Sequence, residues 1–227
     1  MNEAPMKIIA RIESGFPSKF GIPRQSGLVK SLPAKIIFEP EFRSPDAIRG
    51  LEGFSHLWII WKFSESGESN SLTVRPPRLG GNTRLGVFAT RSPFRPNPIG
   101  LSCVKIESIE QTQNRGTVIN VLGADLMDGT PIYDIKPYLP HSDCITEAVG
   151  GFSDEVKDYC LKVEIPEQIK ESFDRQFIET VTEILENDPR PSYHRDPERI
   201  YGFPYAGYEI KFRVQNDLLT VVEIKND

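Results

Sequence analysis

Apolar and polar residues alternate in short segments through the first two-thirds of the chain, and glycine and proline separate these segments. Alternation at residues 8–12 and 36–38, and a dense apolar run at 57–63, each have the length of one strand. Residues 99–109 and 117–122 predict two further strands that pair through a polar turn. Because a period of two lines one face of a strand, these segments predict β-structure built from antiparallel hairpins.

The apolar period lengthens after about residue 160. In residues 166–187 apolar positions recur every three to four residues, which predicts an amphipathic helix. A proline-rich segment at 188–191 ends that pattern. Alternation at 208–214, followed by an apolar segment at 218–224, predicts a terminal β-hairpin.

These patterns predict a mainly β protein with an α+β appendage. Short strands with frequent turns favour an antiparallel barrel or sandwich over a parallel sheet. We expect two domains, a larger β domain at residues 1–160 and a small α+β domain at 161–227. The glycine pair at 80–81 fits no nucleotide-binding loop pattern and no helical pattern follows it, so a Rossmann fold is not predicted.

Composition adds that the chain is an ordinary soluble protein, 38 % hydrophobic and 26 % charged. No apolar run approaches the roughly 20 residues that span a bilayer, and no signal segment opens the chain, so we expect no membrane partner and a cytoplasmic location. Cys103, Cys144 and Cys160 are widely spaced and indicate neither a disulfide framework nor zinc. The three histidines lie far apart, and we expect no metal.

Charge is distributed unevenly along the chain. The net charge is −5, but residues 1–106 carry +7, residues 107–227 carry −12, and no acid occurs from 69 to 106. Within that window, residues 87–102 hold three prolines, which exclude a helix and stiffen a loop that carries two arginines. A stiff cationic loop loses little entropy on binding, so it can attract phosphate although the whole chain is acidic.

The acidic residues Asp125, Asp128 and Asp134 surround a predicted Asp-Gly turn at 128–129. Asp128 has a structural interpretation as a turn residue, and a functional one in which the carboxylates bind the amines or hydroxyls of a ligand. The neighbouring serines and threonines lack a nucleophile elbow, so covalent catalysis is not indicated. The chain therefore carries binding elements, suited to chemistry in which a cofactor supplies the reactive group.

Five ordered sequence blocks resemble the TsaA/TrmO family, and the likeness extends over nearly the whole chain. The blocks are residues 19–25 (KFGIPRQ), 52–58 (EGFSHLW), 74–81 (VRPPRLGG), 86–102 (GVFATRSPFRPNPIGLS) and 128–140 (DGTPIYDIKPYLP). The resemblance implies a tRNA methyltransferase that uses S-adenosylmethionine to methylate the exocyclic nitrogen of threonylcarbamoyladenosine beside the anticodon of threonine tRNAs. It also implies a β-barrel catalytic domain, and a homodimer with the cofactor near the subunit interface.

By the same resemblance, cofactor contacts fall in several separate segments. They are assigned to Pro23, Arg24, Gln25, Arg91, Leu101, Asp125, Leu126, Met127 and Asp128, some of them through backbone groups. Relatives commonly carry a His-Gln pair at a cofactor-contacting position where this chain has Ser64 and Glu65. A side-chain contact there would bring the charge of Glu65 to the cofactor, whereas a backbone contact would make the change harmless.

A second set of residues, all of them cationic, is assigned to bind the tRNA phosphates or the threonine carboxylate of the substrate. These are Arg75, Arg78, Arg84, Arg95 and Lys136. Methyl transfer is an in-line displacement, so holding the acceptor nitrogen against the methyl group is the main requirement. A positioned base would assist loss of the acceptor proton, and Asp134, Tyr138 and His141 are the candidates because they cluster in one segment.

Two alternative functions remain open from the residues. A non-enzymatic RNA-binding barrel would use the acid-free window for phosphates, and it predicts no affinity for the cofactor. An S-adenosylmethionine-sensing regulator would suit the net negative charge, although the arginine-rich loop suits it poorly.

Overall fold

The computed structural model describes residues 5–67, 69, 71–76, 79, 82–156, 159–190 and 196–226. The strands are β1 (Ala10–Ser14), β2 (Pro33–Phe38), β3 (His56–Lys62), β4 (Thr73–Val74), β5 (Leu85–Gly86), β6 (Ile99–Thr112), β7 (Gly116–Leu122), β8 (Pro131–Pro137), β9 (Lys162–Glu164), β10 (Tyr201–Tyr205), β11 (Tyr208–Gln215) and β12 (Leu218–Asn226). The α-helices are α1 (Pro140–Asp143), α2 (Glu167–Lys170) and α3 (Arg175–Glu186). Short 3-10 helices span Pro40–Phe42, Pro45–Ile48, Leu51–Gly53, Val87–Ala89 and Gly151–Val156.

Six strands close into a barrel in the order β1-β2-β7-β6-β3-β8, with every pair antiparallel. Strand β3 shows the alternation of a barrel strand: Leu57, Ile59 and Trp61 are buried in the interior, whereas Trp58 and Ile60 face outward and are only partly buried. The predicted mainly β fold with an antiparallel barrel is confirmed.

The C-terminal residues form a second sheet, in the order β10-β11-β12-β9. Strand β9 runs parallel to β12, and the other pairs are antiparallel. Helix α3 buries Val181, Ile184 and Leu185 in the hydrophobic cluster of this sheet. The predicted α+β appendage is confirmed, and β9 and β10 extend the expected hairpin to four strands.

The helix predicted over residues 166–187 is wrong in one respect, since the structure divides it into α2 and α3. Asp174 adopts an extended backbone between them, and its carboxylate accepts a hydrogen bond of 2.8 Å from the Phe177 backbone N–H. An aspartate that caps the N-terminus of a helix competes with helix propagation through the same position. The apolar period continues across the break because Ile169 and Phe177 both pack on the same core.

The connection from β1 to β2, residues 15–32, packs against the C-terminal sheet. Phe16, Val29 and Leu32 are buried in the same cluster as α3 and β10 to β12. The Ser31 hydroxyl donates to the Thr180 hydroxyl of α3 at 3.0 Å. Gly21 lies so close to the Phe203 ring that an added Cβ would stand 2.2 Å from it. The two hydrophobic cores are therefore joined through this connection.

The antiparallel topology sorts the barrel connections between its two ends. The connections β1 to β2, β3 to β6 and β7 to β8 all leave from one end, which we call the loop end. The connections β2 to β3 and β6 to β7, and the chain after β8, lie at the other end, which we call the far end. Segments distant in the sequence therefore meet at the loop end.

Candidate cofactor and RNA site at the loop end of the barrel

Arg91 and Gln25 meet across two of the loop-end connections. The Arg91 Nη1 donates to the Gln25 Oε1 at 2.5 Å, and the Gln25 Nε2 donates to the Arg24 carbonyl at 2.5 Å. The guanidinium of Arg91 is exposed to solvent. Because an arginine fork carries five N–H donors, this contact leaves donors for an anionic ligand.

The carboxylate of Asp125 lies beside the same pair, on the connection from β7 to β8. It accepts a hydrogen bond of 2.5 Å from the Ser102 hydroxyl, which accepts 2.9 Å from the Trp61 indole N–H. Ser102 and Trp61 are buried, so this chain of hydrogen bonds holds the half-buried Asp125 from inside the barrel. The Ser26 hydroxyl accepts from the Cys103 backbone N–H at 3.0 Å, which ties the Gln25 segment to β6.

Burial raises the pKa of the Asp125 carboxyl above its ordinary value, against the opposing effects of the Ser102 hydroxyl, backbone N–H groups and the Arg91 charge. A carboxylate that is partly withdrawn from water is costly to ionise without a compensating cation. This position therefore favours a ligand that brings positive charge or hydrogen-bond donors to Asp125.

The remaining residues of the Asp125 connection hold the turn in place. Leu126 is fully buried in the barrel core, and its carbonyl accepts from the Ser14 hydroxyl at 2.9 Å. The Asp128 carboxylate accepts from the Ser14 backbone N–H at 3.0 Å, and the Met127 carbonyl accepts from the Thr130 hydroxyl at 2.7 Å. The turn is therefore rigid, and Leu126 offers a ligand only its backbone.

Leu101 occupies the outer face of β6 near its start, and 52 % of it is exposed. Across this face Leu101 pairs with Ile60 of β3, and Ile60 pairs with Asp134 of β8. Neighbouring strands lie about 4.8 Å apart, so the backbones of Leu101 and Asp134 stand roughly 10 Å apart on the same row. The Asp134 carboxylate pairs with the Lys136 ammonium at 3.0 Å.

Ser64 and Glu65 follow β3 in a turn at the loop end. Directly before them, the Phe63 backbone N–H donates to the Pro98 carbonyl at 2.9 Å, and the Phe63 ring packs on Trp61 with centroids 4.3 Å apart. This pairing places the turn beside the loop of residues 87–102, which contains three prolines. The structure thus gathers Gln25, Glu65 and Arg91, with their neighbours, on the loop end.

Two of the three candidate bases, Tyr138 and His141, follow the far end of β8. Tyr138 follows β8 at the far end, where its backbone N–H donates to the His56 carbonyl at 3.0 Å, and His141 is in α1 beyond it. The Tyr138 ring packs on Trp58, whose indole N–H donates to the Asp143 carboxylate at 2.9 Å. Tyr138 also lies near Cys103, which acts on it electrostatically, and the Cys103 backbone N–H donates to the Ser26 hydroxyl next to Gln25.

Pro23 and Arg24 line a surface cavity of about 310 Å³ between the β1 to β2 connection and the end of α3. Its other wall includes Asp188 and Arg190, which form a forked ion pair of 2.7 Å and 2.9 Å. Burial would raise the pKa of the Asp188 carboxyl, but the hydrogen bonds from Arg190 and Tyr159 outweigh it and hold that pKa below its ordinary value. The Asp188 carboxylate, on the wall opposite Pro23, is therefore held in its charged form by Arg190.

The cations assigned to tRNA lie on exposed or half-exposed surface. Arg75 and Arg84 flank the short β4–β5 pair, where the Arg84 Nε donates to the Thr73 hydroxyl at 2.9 Å. The Arg95 guanidinium donates to the Thr90 carbonyl at 3.1 Å within the proline-rich loop. Lys136 is on the outer face of β8, engaged with Asp134. Arg78 lies outside the described residues.

Sequence reasoning did not identify Ser26, Ser102 or Trp61 as residues of this site. Ser102 is the one polar residue among the inward-facing positions Gly100, Ser102 and Val104 at the start of β6, and Gly100 leaves room for the Trp61 ring. A hydroxyl at an inward position of a strand needs a partner, and this was the signal that could have pointed to Asp125.

Among the described residues, no group of three or more metal-ligating side chains comes together. Within the same residues, no helix combines the length and the apolar character needed to cross a bilayer.

Two family models together match nearly the whole chain. The model of the tRNA-methyltransferase O N-terminal domain matches residues 11–144, and that of the TrmO C-terminal domain matches residues 152–227. The chain is 38 % identical over 224 residues to the tRNA (adenine(37)-N6)-methyltransferase of Escherichia coli (strain K12), covering 94 % of each protein. It is 44 % identical over 138 residues to the enzyme of the same name from Mus musculus, covering 60 % of this chain and 31 % of that protein.

A crystal structure of TrmO from Pseudomonas aeruginosa has the same fold, with a TM-score of 0.81 and 31 % sequence identity. The match covers 100 % of this chain and 99 % of that one. These findings confirm the family expected from the five sequence blocks, over both parts of the chain. The chain belongs to the tRNA-methyltransferase O (TrmO) family.

Proposed function

We propose that this chain transfers a methyl group from S-adenosylmethionine to the exocyclic nitrogen of threonylcarbamoyladenosine, beside the anticodon of threonine tRNAs in the cytoplasm. The relatives named as tRNA (adenine(37)-N6)-methyltransferases support the reaction and the nucleic acid. The observation that carries the proposal is the meeting of Gln25, Arg91 and Asp125 at the loop end of the barrel.

The residues at this end fit the parts of S-adenosylmethionine. The Arg91 guanidinium suits the cofactor carboxylate, because it has donors beyond the one that Gln25 accepts. Asp125 suits the ammonium or the ribose hydroxyls, since a carboxylate held partly out of water gains most from a cation or donor. Leu101 offers apolar surface beside them. When bound, S-adenosylmethionine supplies the electrophilic methyl group.

The protein's own contribution is then to position the acceptor nitrogen in line with that group, which converts a reaction between two molecules into one within a complex. Of the three candidate bases, the strand order favours Asp134, which shares an outer row with Leu101. Its carboxylate lies 3.0 Å from the Lys136 ammonium, and a carboxylate oxygen within reach of the acceptor nitrogen can take up its proton.

We infer further that two copies pair as a homodimer. Ile99 and Leu101 leave apolar surface exposed on the outer face of β6, beside the candidate site. Pairing across a two-fold axis would cover that surface with the same surface of a second copy. Light scattering on the purified chain checks this pairing.

The experiment measures transfer of labelled methyl from S-adenosylmethionine to threonine tRNA, with and without its threonylcarbamoyl group. We expect label only in the modified tRNA. Arg91→Lys should weaken cofactor binding about tenfold or more, because an ammonium cannot form the forked contact. Arg213→Lys, at an exposed position of β11 in the C-terminal sheet, serves as the matched control and should bind normally.

Other results of the labelling experiment would each contradict a different part of the proposed function. Equal labelling of both tRNAs would contradict the proposed substrate. If the unaltered chain labels neither, the methyltransferase assignment fails. Calorimetry with S-adenosylmethionine would then separate an RNA-binding barrel, which shows no heat of binding, from a cofactor sensor, which binds cofactor but no tRNA.

A further inference from the structure

Two phenylalanine rings are exposed to solvent in residues 87–102, the loop that also carries Arg91 and Arg95. They belong neither to the barrel core nor to the candidate cofactor contacts. Phe88 is 75 % exposed and Phe94 is 49 % exposed. Val87, directly before Phe88, is 1 % exposed. The chain therefore anchors this segment by one apolar side chain and presents the next to solvent.

The backbone that carries these rings is fixed by local hydrogen bonds. Phe88 is at the centre of the 3-10 helix Val87–Ala89, which the Thr90 hydroxyl closes by donating to the Val87 carbonyl at 2.9 Å. The Phe94 backbone N–H donates to the Ser92 hydroxyl at 3.2 Å. Three prolines restrict the same segment further. Rings held on a stiff backbone lose little entropy when they bind a partner.

The charge around the rings indicates the chemistry of that partner. Arg75, Arg84, Arg91 and Arg95 carry positive charge in the same stretch, and no acid interrupts the sequence from 69 to 106. Aromatic rings interleaved with arginines are the pattern by which proteins hold single-stranded nucleic acid, with bases stacked on rings and phosphates on cations. A paired stem keeps its base faces covered, so it would use only the cations.

We propose that Phe88 and Phe94 stack on unpaired bases of the RNA, next to the nucleotide that the site modifies. This inference rests on the proposed function. It adds the means by which residues 87–102 of the protein distinguish unpaired RNA from a duplex. Binding then has two separable parts, a salt-dependent part from the arginines and a salt-independent part from the rings.

The test measures binding of an anticodon stem-loop RNA, over a series of salt concentrations, to the unaltered chain and to Phe88→Leu and Phe88→Trp. Leucine keeps an apolar side chain but cannot stack, whereas tryptophan can. We expect Phe88→Leu to weaken binding on the order of tenfold with an unchanged salt slope, and Phe88→Trp to bind as the unaltered chain does. Phe94→Leu should weaken binding in the same way.

Two controls accompany the series. Arg84→Gln should make the salt slope shallower by about 0.7 for a single-stranded contact. Val222→Ala, an exposed apolar change on β12, should leave binding unaltered. A fully paired duplex with the same number of phosphates should bind Phe88→Leu and the unaltered chain equally.

Three results would overturn the inference. They are unchanged stem-loop binding by both Leu variants, equal losses in Phe88→Leu and Phe88→Trp, and a change of molecular mass by light scattering with RNA affinity unchanged, which would assign the rings to a protein interface. If the unaltered chain binds no RNA at all, the proposed function itself fails, and this result is distinct from a stem-loop that binds but ignores Phe88.

Discussion

Asp125 connects the interior of the barrel to its loop end, where the proposed site lies. Its carboxylate is held by the buried Ser102 hydroxyl, which the Trp61 indole holds in turn. Such a chain fixes the direction of the carboxylate and leaves its remaining lone pairs to a ligand. The same burial raises its pKa, so the proposed contact of Asp125 with the cofactor would couple cofactor binding to pH.

A cationic ligand favours the ionised carboxyl, so we expect affinity for S-adenosylmethionine to fall as pH drops through the raised pKa of Asp125, above the ordinary value of about 3.9. Asp125→Asn should bind about ten- to a hundredfold more weakly at neutral pH, and its affinity should not change in that pH range. Calorimetry in two buffers of different ionisation enthalpy measures both the affinity and the proton released.

Asp217→Asn is the control, because that aspartate lies on the exposed turn between β11 and β12. Its binding should follow the pH profile of the unaltered chain. An Asp125→Asn chain with the same pH profile would show that another group is responsible.

The cofactor residues proposed from the sequence came from the resemblance, and their spatial arrangement could not be derived from spacing alone. Arg91 and Gln25 are 66 positions apart, and only the antiparallel topology brings their side chains together. Closeness in sequence does not by itself place Tyr138 and His141 beside Asp128. Strand β8 carries the chain across the barrel between Asp128 and Tyr138, so neighbours in sequence lie at opposite ends.

At the scale of elements, the apolar pattern predicted five of the six barrel strands, because each has one face in a single apolar interior. It did not predict β8, where two adjacent residues, Pro131 and Ile132, are both buried and the alternation is lost. The helical segment was less predictable. Its apolar period runs through both α2 and α3, since both pack on one core, and the break depends on Asp174 acting as a cap. A period reports the buried face and gives no information on where the backbone turns.

The side chain of Asp174 caps the N-terminus of α3. Asp174→Ala removes the acceptor for the Phe177 backbone N–H, and we expect it to lower the free energy of unfolding by about 1 kcal/mol. Gln176→Ala, at an exposed position inside α3, should be neutral or slightly stabilising, since alanine has the higher helix propensity. Urea denaturation followed by circular dichroism gives both values, and equal values for the two variants would rule out a capping role.

At the scale of the whole molecule, the C-terminal sheet acts as the support of a barrel loop. The connection that carries Pro23, Arg24 and Gln25 inserts Phe16, Val29 and Leu32 into the C-terminal core. Nothing in the pattern of residues 15–32 predicts this, because an apolar residue in a loop does not specify which core it joins. If this connection binds the cofactor as proposed, a substitution that disturbs its packing on the C-terminal core should also weaken cofactor binding.

Gly21 gives the sharpest test of that implication. It has a φ of +84° and faces the Phe203 ring, which an added Cβ would approach to 2.2 Å. Gly207 has a nearly equal φ of +82° in the turn between β10 and β11, with open space where a Cβ would stand. Alanine at either position meets the same backbone strain, about 1–2 kcal/mol, and only at Gly21 does it also displace the loop.

We therefore expect Gly21→Ala to lose more unfolding free energy than Gly207→Ala and, in addition, to bind S-adenosylmethionine several-fold more weakly. Gly207→Ala should keep the affinity of the unaltered chain, because its strain is confined to a turn of the C-terminal sheet. Thermal unfolding with and without the cofactor measures both effects in one experiment, since a ligand that binds the folded state raises its stability. Equal cofactor-induced shifts in the two variants would mean that the C-terminal sheet does not position the Pro23 to Gln25 segment.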